Sequence, residues 1–324
     1  MIKPKDTRYC EDLVPIADGS SGSGFPAYRQ AVAKLVLSSV LFGVMAVGAK
    51  VVSRRIPGAE TALIRFAVGI VIAVVALVVL RVEVRPRRWG WLLARGVFGG
   101  AAVLAYFSCI EHIPVGTATL LNYTAPVYTM LFSSALLREP PPRGALAGFG
   151  VTMVGVALVV GGHASSPAVG FWELIGALSA VASGMAVTSI RAARRPLADG
   201  TPVETSWSVF LSFTAFGALV TLPAVAPPFG RWVQPTPAEW GLLAGVGLVS
   251  VAAQLLMTQA LRDVAAATSG VIHQLTVVVA LGVGVVFLGE PLGESALAGS
   301  ALTMAGVMGT ITASESLAAR RPRI

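Results

Sequence analysis

Two stretches of this sequence decide its fold: Glu139–Val156 reads EPPPRGALAGFGVTMVGV, and Glu290–Val307 reads EPLGESALAGSALTMAGV. The second stretch follows the first by 151 residues, and the same offset carries Trp89-Gly90 onto Trp240-Gly241. Ala, Gly, Leu and Val are common enough here for apolar runs to match by composition alone. The matched Trp-Gly and Glu-Pro pairs are not explained in that way. We therefore interpret the pattern as an internal duplication.

The composition indicates a membrane protein. Hydrophobic residues make up 55% of the chain, charged residues only 12%, and the mean hydropathy is +0.77, whereas soluble domains carry about a quarter charged residues. Ten apolar runs occur between residues 33 and 314. Each has about 20 residues, which is long enough to cross a hydrocarbon core of roughly 30 Å. The sequence predicts an all-α polytopic membrane protein with ten transmembrane helices.

The duplication and the apolar runs together predict two inverted five-helix repeats, because an odd number of spans turns the second copy over in the membrane. The predicted organisation is a flexible cytoplasmic N-terminal tail (1–32), a first five-helix repeat (33–162), an extracytoplasmic linker (163–170), a second five-helix repeat (171–314) and a basic cytoplasmic C-terminal tail (315–324).

The positive charges predict the orientation. Most loop and tail Lys and Arg residues fall on one side of a ten-span arrangement, and only Arg54, Arg55 and Arg231 fall on the other. Positive loops stay in the cytoplasm, so we expect both termini there, in the inner (plasma) membrane. The net charge of +8 is spread between apolar runs instead of forming one basic domain, so it does not indicate a nucleic-acid partner.

The chain resembles the EamA branch of the drug/metabolite transporter superfamily over roughly residues 33–314. The resemblance rests on the ten-span duplication, on an Ile-Pro-x-x-Glu-x-x-x-x-Arg-Phe segment from Ile56 to Phe66, on Pro126 inside span four, and on the Glu-Pro pairs after spans four and nine. It implies transport, with export as the expected direction. The family is associated with amino acids, purines, vitamins and toxic organic compounds, so the resemblance does not fix the substrate.

Polar side chains at mid-membrane depth are the first candidates for a substrate site. His273 and Gln274 lie inside span nine, and the repeat places them opposite Asn122 and Tyr123 of span four. Either a binding role or a structural interhelical hydrogen bond fits these residues, and His273 is also a candidate proton carrier. Neighbouring spans add three further candidates: Tyr106, Gln254 and Thr258.

Charged residues within the spans predict the charge of the substrate. Lys50, Arg65 and Arg95 fall in apolar runs, whereas all 16 acidic residues fall in tails, loops or span ends. The three cations either extend to the headgroups or face a cavity. Lys50 and Arg65 are candidate substrate-binding residues, and cations facing a cavity favour an anionic or zwitterionic substrate.

Three further residues are predicted to shape the fold or gate the path. Glu139 and Glu290 each end a span before a Pro turn, where a carboxylate can pair with a base or cap the next helix. Pro126 is matched in span nine by Val277. Any kink at this level should therefore be asymmetric.

The predicted function is secondary transport of a small polar organic metabolite, such as an amino acid or a related neutral or anionic compound. Two alternatives stay open: flipping of a lipid-linked or amphiphilic compound, and an intramembrane enzyme. The sequence has no Walker A motif, and His112, His163 and His273 lie too far apart to indicate a metal site. We expect no cofactor and no catalytic residue, protons as a candidate coupling ion, and a monomer or homodimer in the lipid bilayer.

Overall fold

Helices form all the regular secondary structure in the described part of this computed structural model, which covers residues 24–112, 121–141, 143–161, 170–196, 202–227, 230, 232–288 and 293–319. The helices are α1 (Gly24–Val52), α2 (Gly58–Val78), α3 (Trp89–His112), α4 (Ala125–Leu137), α5 (Arg143–Gly161), α6 (Phe171–Arg194), α7 (Ser206–Val225), α8 (Pro237–Ala260), α9 (Ala266–Ile272), α10 (Leu275–Leu288) and α11 (Glu294–Ala319).

The helices confirm a polytopic membrane protein. Within the described residues, seven spans are long and apolar enough to cross a bilayer, and α9 with α10 counts as one of them. Three shorter apolar helices, within α4, α5 and α11, occupy the other predicted span positions. Many large apolar side chains on the predicted spans remain exposed, such as Val71 and Val78 of α2 and Phe287 of α10. Such exposure is expected where lipid replaces water.

The first and last helices are longer than predicted. Helix α1 begins at Gly24, so the end of the predicted 1–32 tail is helical. Ala31 and Val32 are buried there, and Tyr28 packs on the same core cluster. At the other end, α11 continues to Ala319, into the predicted 315–324 tail. Tertiary packing and helix continuation extend both elements beyond the apolar runs from which they were predicted.

The ninth span is broken in the middle, and the predicted asymmetry at Pro126 is wrong. The chain turns at His273–Gln274 between α9 and α10, although no proline is present there. An equivalent turn occurs at Tyr123–Thr124 before α4. In each turn the main-chain N–H of the second residue donates a hydrogen bond of 3.1 Å to the carbonyl oxygen three residues earlier. The pairs are Thr124 with Leu121 and Gln274 with Val271. Local i to i+3 hydrogen bonding therefore interrupts both spans, with or without a proline.

The packing of α5 on α11 repeats under the 151-residue offset. A Cβ at Gly155 would lie 2.5 Å from Thr303 Oγ1 and 2.6 Å from the Gly299 carbonyl oxygen. A Cβ at Gly306 would meet Thr152 Oγ1 and lie 2.6 Å from the Gly148 carbonyl oxygen. Each residue of the first contact is thus the 151-residue equivalent of one in the second. Glycine lets the two backbones approach closely at both places.

Other helix contacts also occur in repeat-related pairs, in which a helix of one half packs on helices of the other half or on their counterparts. Helix α1 packs on α8 and α10, while its counterpart α6 packs on α3 and α4. Helix α7 packs on both α2 and α3. This arrangement leaves space near the centre of the bundle, between helices of the two halves of the chain.

Candidate functional site

A cavity of about 200 Å³ lies between the two halves of the bundle. The first half contributes side chains from α1, α2, α3 and the pair Asn122–Tyr123 before α4, and the second half contributes them from α6, α7, α8, the turn residue His273 and α10. The polar or charged residues among the described lining are Arg65, Arg95, Tyr106, Asn122, Tyr123, Ser183, Gln254, His273 and Thr276. A lining that combines apolar side chains with a smaller set of polar groups is the arrangement expected of a solute site.

Six of the nine predicted binding residues line this cavity. They are Arg65, Tyr106, Asn122, Tyr123, Gln254 and His273. They come from α2, α3, α8, the pair Asn122–Tyr123 before α4 and the turn between α9 and α10, so residues far apart in sequence face one space.

Arg95 of α3 faces the cavity. The residue is only 4% exposed, and its Nη2 donates to Gln254 Oε1 at 2.7 Å. Its guanidinium carbon lies 3.9 Å from the centroid of the Phe213 ring, in a cation–π contact. A Cβ at Gly99 would lie 2.5 Å from Arg95 Nη1 and 2.8 Å from the Phe213 ring, so glycine leaves room for the guanidinium and the ring against α3. Arg95 is therefore held in the bundle and does not extend to the headgroups.

Arg65 of α2 approaches the same ring. Its guanidinium carbon lies 5.9 Å from the Phe213 centroid, and its Nε donates to Ser250 Oγ at 2.5 Å. Ser250 and Gln254 are one turn apart on α8, so a single helix face holds both arginines through neutral acceptors. The guanidiniums bring two positive charges to one small space.

The two interrupted spans bring neutral polar groups to the cavity. The His273 ring makes an edge contact with Phe42, with centroids 5.2 Å apart, and its buried Nδ1 has no hydrogen-bond partner in the described part of the chain. Asn122 Nδ2 donates to Ser179 Oγ at 3.0 Å. His273 thus retains hydrogen-bonding capacity beside the cavity, while Asn122 is held by α6.

The other three predicted binding residues lie outside the described cavity lining. Gln274 is 1% exposed and donates from Nε2 to the Tyr123 carbonyl oxygen at 2.8 Å. Thr258 bonds back to the Gln254 carbonyl oxygen at 2.7 Å, within its own helix. Lys50 lies one turn beyond Ala46, which lines the cavity from α1. These placements favour structural contacts for Gln274 and Thr258.

Glu139 joins three segments at one end of the bundle. It accepts from Arg191 of α6, with Nη2 to Oε1 at 3.0 Å, and lies 3.6 Å from Arg195. Arg191 also donates to the carbonyl oxygens of Leu261 and Arg262, between α8 and α9. Its repeat partner, Glu290, lies outside the described residues.

Pro126 lies where the two interrupted spans pack together. It is the second residue of α4 and is buried. Its ring packs against Gly270 of α9, where an added Cβ would lie 3.3 Å away. The contact brings the two interrupted spans together.

Sequence reasoning missed the apolar part of the lining. Phe213 contacts both arginines, and Phe42 and Met257 also face the cavity, but an inventory of polar residues does not detect them. No group of three or more potential metal-binding side chains occurs among the residues for which the structure gives a position.

Comparison with known proteins identifies a family match over both halves. The model of the EamA-like transporter family matches residues 30–161 and 170–312. One solved crystal structure shares the fold, with a TM-score of 0.72 at 21% identity, covering 90% of this chain and 98% of its own.

Some of the curated relatives carry functional names. The pseudopaline exporter CntI of Pseudomonas aeruginosa (strain UCBPP-PA14) is 30% identical over 278 residues, which are 85% of this chain and 93% of that exporter. A protein of Streptantibioticus cattleyicolor named "Probable terminal-alkyne amino-acid exporter" is 34% identical over 204 residues, which are 61% of this chain and 64% of that protein.

Proposed function

Because the chain belongs to the EamA-like transporter family, we propose that it exports a small polar organic metabolite through the central cavity. The observation that carries this proposal is the cavity itself, which both halves of the chain line with polar side chains. Export is supported by the names of two relatives, a pseudopaline exporter and a probable terminal-alkyne amino-acid exporter, and the second name also supports an amino acid or a related compound as the solute.

The proposed mechanism is alternating access between two inverted five-helix repeats. The 151-residue offset that relates the two sequence stretches also relates the two glycine contacts between α5 and α11. Two halves with equivalent packing can exchange conformations, so that a site between them opens first to one side and then to the other. The described cavity lies within one chain, so a monomer suffices for this cycle.

The proposed location is the plasma membrane, with both termini in the cytoplasm. The distribution of Arg and Lys between the loops supports this orientation. The ion pair of Glu139 with Arg191 would then lie on the cytoplasmic side. Because this pair joins α4, α6 and the connection between α8 and α9, it is the proposed cytoplasmic gate.

The test is transport by purified protein in liposomes, with labelled amino acids, organic acids, nucleobases and quaternary amines, with and without a pH gradient. We expect uptake of at least one organic solute, inhibited by Ala46→Trp, which fills the cavity from α1. The matched control is Val44→Trp on the exposed face of the same helix. Uptake that Ala46→Trp leaves unchanged would contradict a path through this cavity, and loss of uptake with His273→Ala only under a pH gradient would support proton coupling.

A further inference from the structure

We infer that the transported solute is an acidic metabolite with two carboxylates, which Arg65 and Arg95 bind in the cavity. This inference rests on the proposed function and names the substrate class of the same site. It comes from the charge balance of the described cavity lining, which the family match and the names of the relatives leave open.

The two arginines lack anionic partners in the part of the chain that the structure describes. Neither has a carboxylate within ion-pair distance among the described residues, and the described lining of the cavity contains no Asp or Glu. Their side-chain acceptors are neutral, namely the Ser250 hydroxyl and the Gln254 amide. A buried charge is costly unless it is paired, and two like charges near one ring raise that cost. A dianionic solute would balance both charges.

The guanidinium groups retain donors for such a solute. Arg65 makes one hydrogen bond within the described residues, through Nε, so both of its terminal nitrogens are available. Arg95 makes one through Nη2, so no described group accepts from its Nη1, whereas its Nε is buried away from the cavity. Arginine presents a planar fork that matches a carboxylate with two parallel hydrogen bonds.

The separate anchoring of the arginines favours two carboxylates over one. Arg65 comes from α2 and Arg95 from α3, and each is held by its own acceptor on α8. The Phe213 ring lies against both guanidiniums. A solute with one carboxylate would leave the second positive charge unbalanced, and a lipophilic amine would add a third.

Thermal unfolding of the detergent-purified full chain tests the inference at constant ionic strength. The probes are two matched pairs, succinate with succinamide and glutamate with glutamine, and sodium chloride serves as the inorganic anion. We expect the acids to raise the Tm and to half-saturate at a concentration at least tenfold lower than their amides. The substitution Arg95→Gln should remove the effect of the acids.

The sharpest variant is Gln254→Glu, which places a carboxylate within reach of Arg95. It should raise the Tm of the ligand-free protein and weaken the response to succinate at least tenfold. Gln259→Glu makes the same chemical change on the same helix away from the described cavity lining, and it should do neither.

Three results would overturn the inference: equal stabilisation by acids and amides, equal stabilisation by chloride alone, or a lower Tm for Gln254→Glu than for Gln259→Glu. Other outcomes separate the proposed transport function from the proposed acidic substrate. Liposome uptake of neutral or cationic solutes with no response to the acids would retain the transporter and refute the acidic substrate. Stabilisation by the acids without uptake of any solute would retain the anion site and count against transport.

Discussion

The side-chain amide of Gln274 donates a hydrogen bond of 2.8 Å to the main-chain carbonyl oxygen of Tyr123. Tyr123 is the first residue of the turn that precedes α4, and Gln274 is the second residue of the turn between α9 and α10. One hydrogen bond therefore connects the interruptions of the two repeat-related spans, beside the cavity.

Replacing Gln274 with Met should destabilise the protein, because the Tyr123 carbonyl oxygen loses its partner in a buried setting. The expected loss is about 1 kcal/mol, typical of interhelical hydrogen bonds in membranes. Unfolding in a detergent titration measures it, with Gln259→Met as the control for loss of an amide from α8. Equal stability of the two variants would show that the hydrogen bond makes no net contribution to the free energy of unfolding.

The ion pair of Glu139 and Arg191 should show measurable coupling. Both side chains are largely shielded, with 21% and 15% exposed. A double-mutant cycle with Glu139→Gln and Arg191→Gln should give a coupling free energy of about 1 kcal/mol. The pair of Glu83 and Arg85 is 57% and 71% exposed, so the same cycle there should give less than about 0.5 kcal/mol. Similar values for both pairs would remove the case for a gate at Glu139.

The glycine contacts between α5 and α11 should be equally sensitive in the two repeats. Gly155→Val and Gly306→Val each place a side chain against a facing carbonyl oxygen, so the helices must separate, at a cost of about 1–3 kcal/mol. Gly150→Val is the control, because an added Cβ there meets nothing within 4 Å. If Gly150→Val lowers the Tm as much as the other two substitutions, then the β-branched side chain in the helix, and not the helix packing, causes the loss of stability.

Phe213→Leu should weaken solute binding. The ring lies against both guanidiniums, and its loss removes a contact that orients Arg95. We expect a three- to tenfold higher half-saturating concentration in liposome uptake of whichever panel solute is transported. Phe98→Leu, on the lipid-exposed face of α3, should leave that concentration unchanged. Equal effects of the two substitutions would argue against a role for the ring in the site.

Substituted cysteines should report access to the cavity. In a background with Cys10→Ala and Cys109→Ala, Ser183→Cys should react with a small polar thiol reagent, because Ser183 lines the cavity. Ser189→Cys on the same helix should stay unreactive, since Ser189 is fully buried. A bound solute should slow the reaction at position 183. Labelling at position 189 and not at 183 would contradict the proposed path.

The sequence alone predicted the helical membrane fold, because hydrocarbon-length apolar runs leave a chain no other way to satisfy its backbone. It also predicted the duplication, since an offset of 151 residues preserves Trp-Gly and Glu-Pro pairs that composition does not explain. Six of the nine predicted binding residues face the cavity, because polar groups at mid-membrane depth turn away from lipid.

Only the tertiary structure decided what each of those groups contacts. Helical periodicity places Gln254 and Thr258 on one face, yet Gln254 binds Arg95 and Thr258 bonds back to its own helix. Arg95 fits both a snorkelling and a cavity-facing role from sequence, and the approach of Phe213 and Gln254 from α7 and α8 settles its place. The turn at His273 arises without a proline. Rotamers, helix rotation and neighbouring helices fix these contacts, and residues distant in the chain supply them.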